Sequence, residues 1–307
     1  MDYIVFIAAM AALIYGADFI IKESERIALH FDISHFVIGA TLVAFGTSLP
    51  EMAASMVASA HGKSDMAVSN VVGSVIFNIT LVLGVVFMIA KSMNPDRDLF
   101  FKDSAWVVMP LVIFFIMILD GKIGRIDGAL FLLMMVSYLI FLFSSNKEEL
   151  KIEEELKKER FQWLKSTLLL CIGFALTIGG ANFVVESGTN IARNLHVSEW
   201  IIGLFLISLG TSLPELVVSL IAVKKGNAEM SIGNIIGSNV ANFSMVLGGA
   251  ALVNPLTVDL EATKFDMLLL AAASIAILFV LANRLYNKAG GIFLLTILAL
   301  FIQNSFA

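Results

Sequence analysis

The stretch "AFGTSLPEMAAS", Ala44 to Ser55, sets a glutamate directly behind a proline inside an apolar run. It returns as "SLGTSLPELVVS", Ser208 to Ser219. Pro50 has no N–H, so it cannot donate to the carbonyl of Gly46, and its ring biases Leu49 away from helical angles. Gly46 lowers the resistance to unwinding. A helix interrupted here is expected, with freed carbonyl oxygens near residues 44–47, and an equivalent break at Gly210 and Pro214. Such groups are tolerated at membrane depth only where they line a cavity or bind something. For a single Gly/Pro pair, a plain kink would be the simpler outcome. A second copy carrying its own glutamate argues for a use.

The surroundings of both copies are apolar throughout the chain. Of 307 residues, 59% are hydrophobic and 15% charged, with a mean hydropathy of +0.91. Soluble domains carry about 25% charged residues. Apolar segments long enough to span a bilayer recur, with breakers between them. They are predicted at 3–21, 36–60, 66–90, 103–119 and 126–144, then at 164–185, 200–223, 230–252, 265–282 and 290–305. The fold class expected is an all-α polytopic membrane protein of ten transmembrane helices, with the lipid bilayer as its principal partner. The N-terminal "MDYIVFIAAMAALIYG" lacks a basic region and is read as a membrane helix rather than a cleaved signal. Cys171 is the single cysteine, so no internal disulfide is expected. A net charge of −5 offers no nucleic-acid surface, and no nucleotide-binding loop is visible. No paired Asp, Ser–His arrangement or His-rich metal site stands at membrane depth, so the chain does not read as an enzyme. No organic cofactor and no obligatory protein partner are expected.

The two halves are copies of one another. At an offset of 164 residues they align without a gap from Gly16 to Gly84, which falls on Gly248. Thr47, Ser48, Pro50 and Glu51 fall on Thr211, Ser212, Pro214 and Glu215. Asn70, Gly73, Ser74 and Asn78 fall on Asn234, Gly237, Ser238 and Asn242. The chain is therefore divided into a first five-helix repeat (1–144, motif 39–84), a charged linker (145–162) and a second five-helix repeat (163–307, motif 203–248). Lys and Arg placement sets the orientation. With both termini outside, cytoplasmic loops carry fifteen of them and outside loops five. The linker is then cytoplasmic. Five is an odd number, so the second repeat enters the membrane in the opposite sense, the inverted-repeat design of secondary transporters.

A carboxylate at the centre of a spanning helix costs roughly 2.5–3.5 kcal/mol on insertion scales and marks a functional site. Glu51 and Glu215 are the two acidic residues read as lying deep, with no Lys or Arg at their level. Asn70, Ser74 and Asn78 are spaced i, i+4, i+8 and share a helical face, as do Asn234, Ser238 and Asn242. Such a row is often only interhelical glue. For Asn70 and Asn234, support and direct binding are equally open; for the other four, coordination is favoured. Every group in the set is an oxygen donor: two carboxylates, the hydroxyls of Thr47, Ser48, Thr211, Ser212, Ser74 and Ser238, the amides of Asn78 and Asn242, and freed carbonyls. Hard cations take oxygen, and Ca²⁺ wants 6–8 such ligands. Two glutamates balance one divalent ion, and the neutral groups suit Na⁺ or H⁺ once it has left.

"GTSLPE" in both halves, followed by "SNVVGSVIFN" and "GNIIGSNVAN", resembles the α1 and α2 repeats of the sodium/calcium exchanger family, within the cation/calcium exchanger superfamily. The similarity covers nearly the whole chain, as a compact prokaryotic member residing in the cell membrane. It implies an antiporter that exchanges Na⁺ for Ca²⁺ by alternating access. It implies that Glu51 and Glu215 bind Ca²⁺ with the carbonyls of Thr47 and Thr211. Sodium sites would use Ser48, Ser74, Ser212 and Ser238 with the carbonyls of Ala44 and Ser208, Asn78 and Asn242 would flank the middle, and helices 1 and 6 would slide. Gly46, Pro50, Gly210, Pro214, Asn70 and Asn234 would support. Asn242 stands where the potassium-dependent branch carries Asp, which points to potassium independence; Ser208 stands where Ala is expected. The alternatives are a Ca²⁺/H⁺ exchanger using the same glutamates and a passive cation channel.

Overall fold

Long apolar helices joined by short polar turns make up the computed structural model, which describes residues 2–90, 93, 95, 97–145, 162–195 and 210–305. The helices are α1 (Asp2–Phe31), α2 (His35–Thr47), α3 (Leu49–Ala60), α4 (Ser64–Ile89), α5 (Leu99–Met117) and α6 (Arg125–Ser144). They continue as α7 (Trp163–Asn194), α8 (Leu213–Lys224), α9 (Ala228–Val253), α10 (Lys264–Ala282) and α11 (Lys288–Ser305). Among the described residues, seven helices are long and apolar enough to cross a membrane, and α2 with α3 passes that test as an eighth. The predicted segments and the observed helices agree to within a few residues, except that α1, α5 and α7 extend beyond them. The start of the predicted segment 200–223, linker residues 146–161, and Ser208 lie outside the described residues.

The chain forms two units, and each draws on both halves of the sequence. The first comprises Met1–Thr47 with Leu142–Asn234; the second comprises Ser48–Phe141 with Ile235–Ala307. In the first, α1 and α7 pack backbone to backbone. A β-carbon on Gly16 would come 2.7 Å from the Gly173 carbonyl oxygen, and one on Gly180 would come 2.7 Å from the Leu13 nitrogen. Hydrocarbon gives helices no hydrophobic reason to associate, so close approach over small residues supplies the packing instead. Ala17, Ile20, Ile21 and Ala28 of α1 then meet Val218 and Ala222 of α8 in one buried cluster. The unit is tied at its edge by Lys225, whose Nζ lies 2.5 Å from Asp18 Oδ1.

The second unit repeats the same device. Gly84 of α4 and Gly291 of α11 face each other, where a β-carbon on Gly291 would come 2.7 Å from the Gly84 carbonyl. Gly128 of α6 meets Gly248 of α9 in the same way. Aromatic rings fill the wider gaps, among them Phe114 against Phe243 at 5.3 Å and Trp106 against Tyr138 at 4.9 Å between centroids. A two-residue antiparallel ladder, β1 (Lys122–Ile123) with β2 (Leu256–Thr257), pairs Lys122 with Thr257.

Burial of acidic side chains is wider than the sequence pattern indicates. Glu23 and Asp103 are also buried. Each brings its own cation: Arg26 donates to Glu23 at 2.7 Å, and Arg97 makes a bidentate pair with Asp103 at 2.7 and 2.9 Å. A guanidinium fork satisfies both carboxylate oxygens, which is how Asp103 is accommodated inside a helix bundle.

Candidate cation site

The break at the first proline is one residue wide. Helix α2 runs to Thr47, Ser48 leaves helical geometry (φ −83, ψ 3), and α3 begins at Leu49. Pro50 therefore falls in the first turn of a new helix, where its missing N–H is no loss because that donor would have no partner anyway. Met52 N–H donates to the Ser48 carbonyl at 3.1 Å to start the helix. The expected unwound stretch is instead a stop and an immediate restart. The carbonyls of α2's last turn, residues 44–47, are the ones a helix end leaves without intrahelical donors. One of them, Ala44 O, accepts from the Thr47 hydroxyl at 3.2 Å.

The second copy is described from Gly210 onward, and it matches the first from its serine on. Ser212 sits at φ −88, ψ 2, α8 begins at Leu213, and Leu216 N–H donates to the Ser212 carbonyl at 3.1 Å. Glu51 and Glu215 occupy the first turns of α3 and α8, and both are fully buried. Ser48 and Ser212 are buried as well. Gly46 is packed so tightly under the Phe174 ring that a β-carbon would overlap it.

Each turn is braced by an amide. Asn70 Nδ2 donates to Ser55 Oγ at 2.9 Å and to the Glu51 carbonyl at 3.3 Å. In the other unit, Asn234 Nδ2 donates to Ser219 Oγ at 3.1 Å, and Asn234 Oδ1 accepts from the Thr47 hydroxyl at 3.3 Å. Asn70 and Asn234 thus end on serine and backbone partners. Ser55 and Ser219 were missed in the sequence, although both close their quoted motifs and fall on each other at the same offset of 164.

The second unit holds one half of the candidate ligand set together. Ser74 Oγ donates to Glu51 Oε1 at 3.4 Å and accepts from Asn242 Nδ2 at 3.1 Å. Asn78 Nδ2 donates to Asn239 Oδ1 at 3.1 Å. Asn78 and Asn242 are fully buried, yet their Oδ1 atoms have no hydrogen-bond partner among the described residues, and neither does Ser238 Oγ. A buried carbonyl oxygen without a donor carries a desolvation cost of about 1–3 kcal/mol. These three oxygens, two amide carbonyls and a hydroxyl in the unit that also holds Glu51, are suited to a cation that supplies the missing positive charge. The donors named, two carboxylates with hydroxyls, amides and backbone carbonyls, are all oxygen and mostly neutral, which is the chemistry of hard cations.

Two local features were not anticipated. Helix α4 widens into a π turn at Asn78–Val82, and α9 does so at Asn242–Leu247. Both π turns open at the middle asparagines. A third lies at Gly39–Val43 in α2. Turns of this kind recur at functional sites because they displace backbone carbonyls from the helical ladder. In the other unit, Thr211 and Ser212 precede Glu215 in the turn before α8, while Ser208 falls outside the described residues.

Helices that begin at buried carboxylates, with neutral oxygens around them, define the class: a membrane protein that handles hard cations. Comparison with known proteins agrees. The sequence model of the family described as "Sodium/calcium exchanger protein" matches residues 1–144 and 165–307. The chain belongs to that family and is an integral membrane protein of the transporter kind, not an enzyme. It is 38% identical over 285 residues to an uncharacterized membrane protein of Methanocaldococcus jannaschii, MJ0091, covering 93% of this chain and 90% of that one. It is 29% identical to the sodium/calcium exchanger MaX1 of Methanosarcina acetivorans, covering 92% of each chain. Its fold matches the sodium-calcium exchanger NCX_Mj soaked with 100 mM Na⁺ and 10 mM Sr²⁺, with a TM-score of 0.84 at 32% identity, over 98% of this chain and 97% of that one.

Proposed function

We propose that this protein exchanges Na⁺ for Ca²⁺ across the membrane by alternating access, with Glu51 and Glu215 sharing one Ca²⁺. The observation that carries the reading is the placement of each glutamate, buried beside a proline in the first turn of its helix. Two carboxylates neutralise one divalent ion, and neither copy alone does so. The Thr47 and Thr211 carbonyls complete the Ca²⁺ shell toward the 6–8 oxygens that this ion takes. Ser48, Ser74, Ser212 and Ser238, with the carbonyls of Ala44 and Ser208, hold Na⁺, and Asn78 and Asn242 stand between.

Coupling follows from competition. Both ions require the same two carboxylates, so one must leave before the other binds, and a gradient of one drives the other. The architecture proposed is ten transmembrane helices in two inverted five-helix repeats, 1–144 and 163–307, with both termini outside and linker 145–162 in the cytoplasm. Sequence duplication and Lys/Arg placement support it. The relatives named as sodium/calcium exchangers support Na⁺ as the coupling ion.

The test is ⁴⁵Ca²⁺ uptake into proteoliposomes. A sodium gradient at fixed pH should drive uptake, and a pH gradient without sodium should not. Uptake driven by the pH gradient alone would make the protein a Ca²⁺/H⁺ exchanger, and uptake needing neither gradient would make it a channel.

A further inference from the structure

The two middle asparagines are held by different means. Asn242 donates to Ser74 Oγ, a group inside the proposed ligand set, and Ser74 in turn reaches Glu51. Asn78 donates to Asn239 Oδ1, a group outside that set. The offset of 164 residues puts Val75 at the position equivalent to Asn239. Val75 is buried and has no side-chain acceptor. The difference is therefore written in the sequence as "GSVIFN" against "GSNVAN".

We infer that Asn239 is a positioning residue for cation binding: by accepting from Asn78 Nδ2, it holds the Asn78 carbonyl oxygen free for the ion. This rests on the exchanger reading given above. An asparagine amide carries a donor and an acceptor that exchange places when the group rotates by half a turn. With Asn239 Oδ1 fixing the donor end, the acceptor end is left buried and without a hydrogen-bond partner among the described residues. Asn78 also opens the π turn of α4, so its side chain leaves the helix where the ladder is displaced. Without an acceptor at residue 239, the amide is free to rotate and present N–H groups toward a cation, which repels it.

Ser74 shows why the same arrangement is not needed on the other side. A hydroxyl can donate and accept at once. Ser74 gives its proton to Glu51 and accepts from Asn242. Asn242 is thus oriented by the ligand set itself, whereas Asn78 depends on a neighbour outside that set.

The experiment is Ca²⁺ titration calorimetry on the purified, detergent-solubilised full chain, with thermal unfolding as a control for folding. Asn239→Val copies the residue at position 75 and removes the acceptor; Asn239→Ala removes it without β-branching should the valine variant fail to fold. Either should weaken Ca²⁺ binding about three- to tenfold, the scale of one lost hydrogen bond. Asn239→Asp accepts from Asn78 and cannot donate, so it locks the same orientation and should bind at least as tightly as the wild type. A merely structural role for Asn239 would not separate Asp from Val and Ala in this way. Wild-type affinity in the Val or Ala variant, or an Asp variant as weak as they are, overturns the inference alone. A wild-type protein that binds no Ca²⁺ overturns the exchanger reading and the inference together.

Discussion

The two proline–glutamate turns share their backbone and differ in their fastenings. Ser48 and Ser212 precede their helices at nearly the same angles, both helices carry proline and glutamate in their first turn, and both turns are braced by an asparagine on a serine. Around them the copies part. Ser59, near the end of α3, donates to the carbonyls of Ala250 and Asn254 at 2.6 and 3.1 Å, but its equivalent in α8 is Val223. Lys225 bonds Asp18, while the equivalent positions hold His61 and Asn182. Asn239 bonds Asn78, while Val75 stands opposite in the alignment. What is duplicated is the set of oxygen donors proposed to meet the cation and the asparagine–serine braces beneath it. What is not duplicated is the outer contacts of Ser59, Lys225 and Asn239.

If the duplicated shell is one functional unit, its halves should fail alike. Glu51→Gln and Glu215→Gln should each reduce sodium-driven ⁴⁵Ca²⁺ uptake at least about a hundredfold, since each removes half of the neutralising charge. The comparison breaks if one variant transports normally while the other is dead. Next in size are the paired glycines. Gly16→Leu and Gly180→Leu, equivalent positions on α1 and α7, should each destabilise the protein by about 1–3 kcal/mol by overpacking, read as a lowered unfolding temperature in detergent. Smaller again are the braces. Asn234→Ala strips partners from Ser219 and Thr47, and Asn70→Ala strips them from Ser55 and the Glu51 carbonyl, so each should weaken Ca²⁺ binding by about three- to tenfold. The smallest effect tests the outer shell. Ser59→Ala should cost about 1 kcal/mol of stability with transport little changed, and Val223→Ser should leave both nearly unaltered.

Much of the fold is legible in the amino-acid sequence, because membrane helices announce themselves by length and apolarity and because the duplication fixes which residues correspond. The break at Pro50 is legible in the same way, although its width is not: a proline predicts that a helix stops, not how soon the next one starts. The π turns at Asn78 and Asn242 are invisible there, since one extra residue in a turn leaves no periodic mark in a segment that is apolar on every face. Buried Glu23 and Asp103 escape notice because their burial depends on arginines that curl back to meet them. Ser55 and Ser219 pass for small apolar-face residues until Asn70 and Asn234 are seen to end on them. Asn239 differs from Val75 in plain sight, but only the contact with Asn78 gives that difference a meaning.

The central claim is that one Ca²⁺ is shared by two glutamates from the two halves of the chain. Calorimetric titration of the purified protein with Ca²⁺ tests it most directly. The account predicts one Ca²⁺ per chain, displaced by Na⁺, with binding lost in Glu51→Gln and in Glu215→Gln alike. Two Ca²⁺ per chain, or wild-type affinity retained in either single variant, would contradict it.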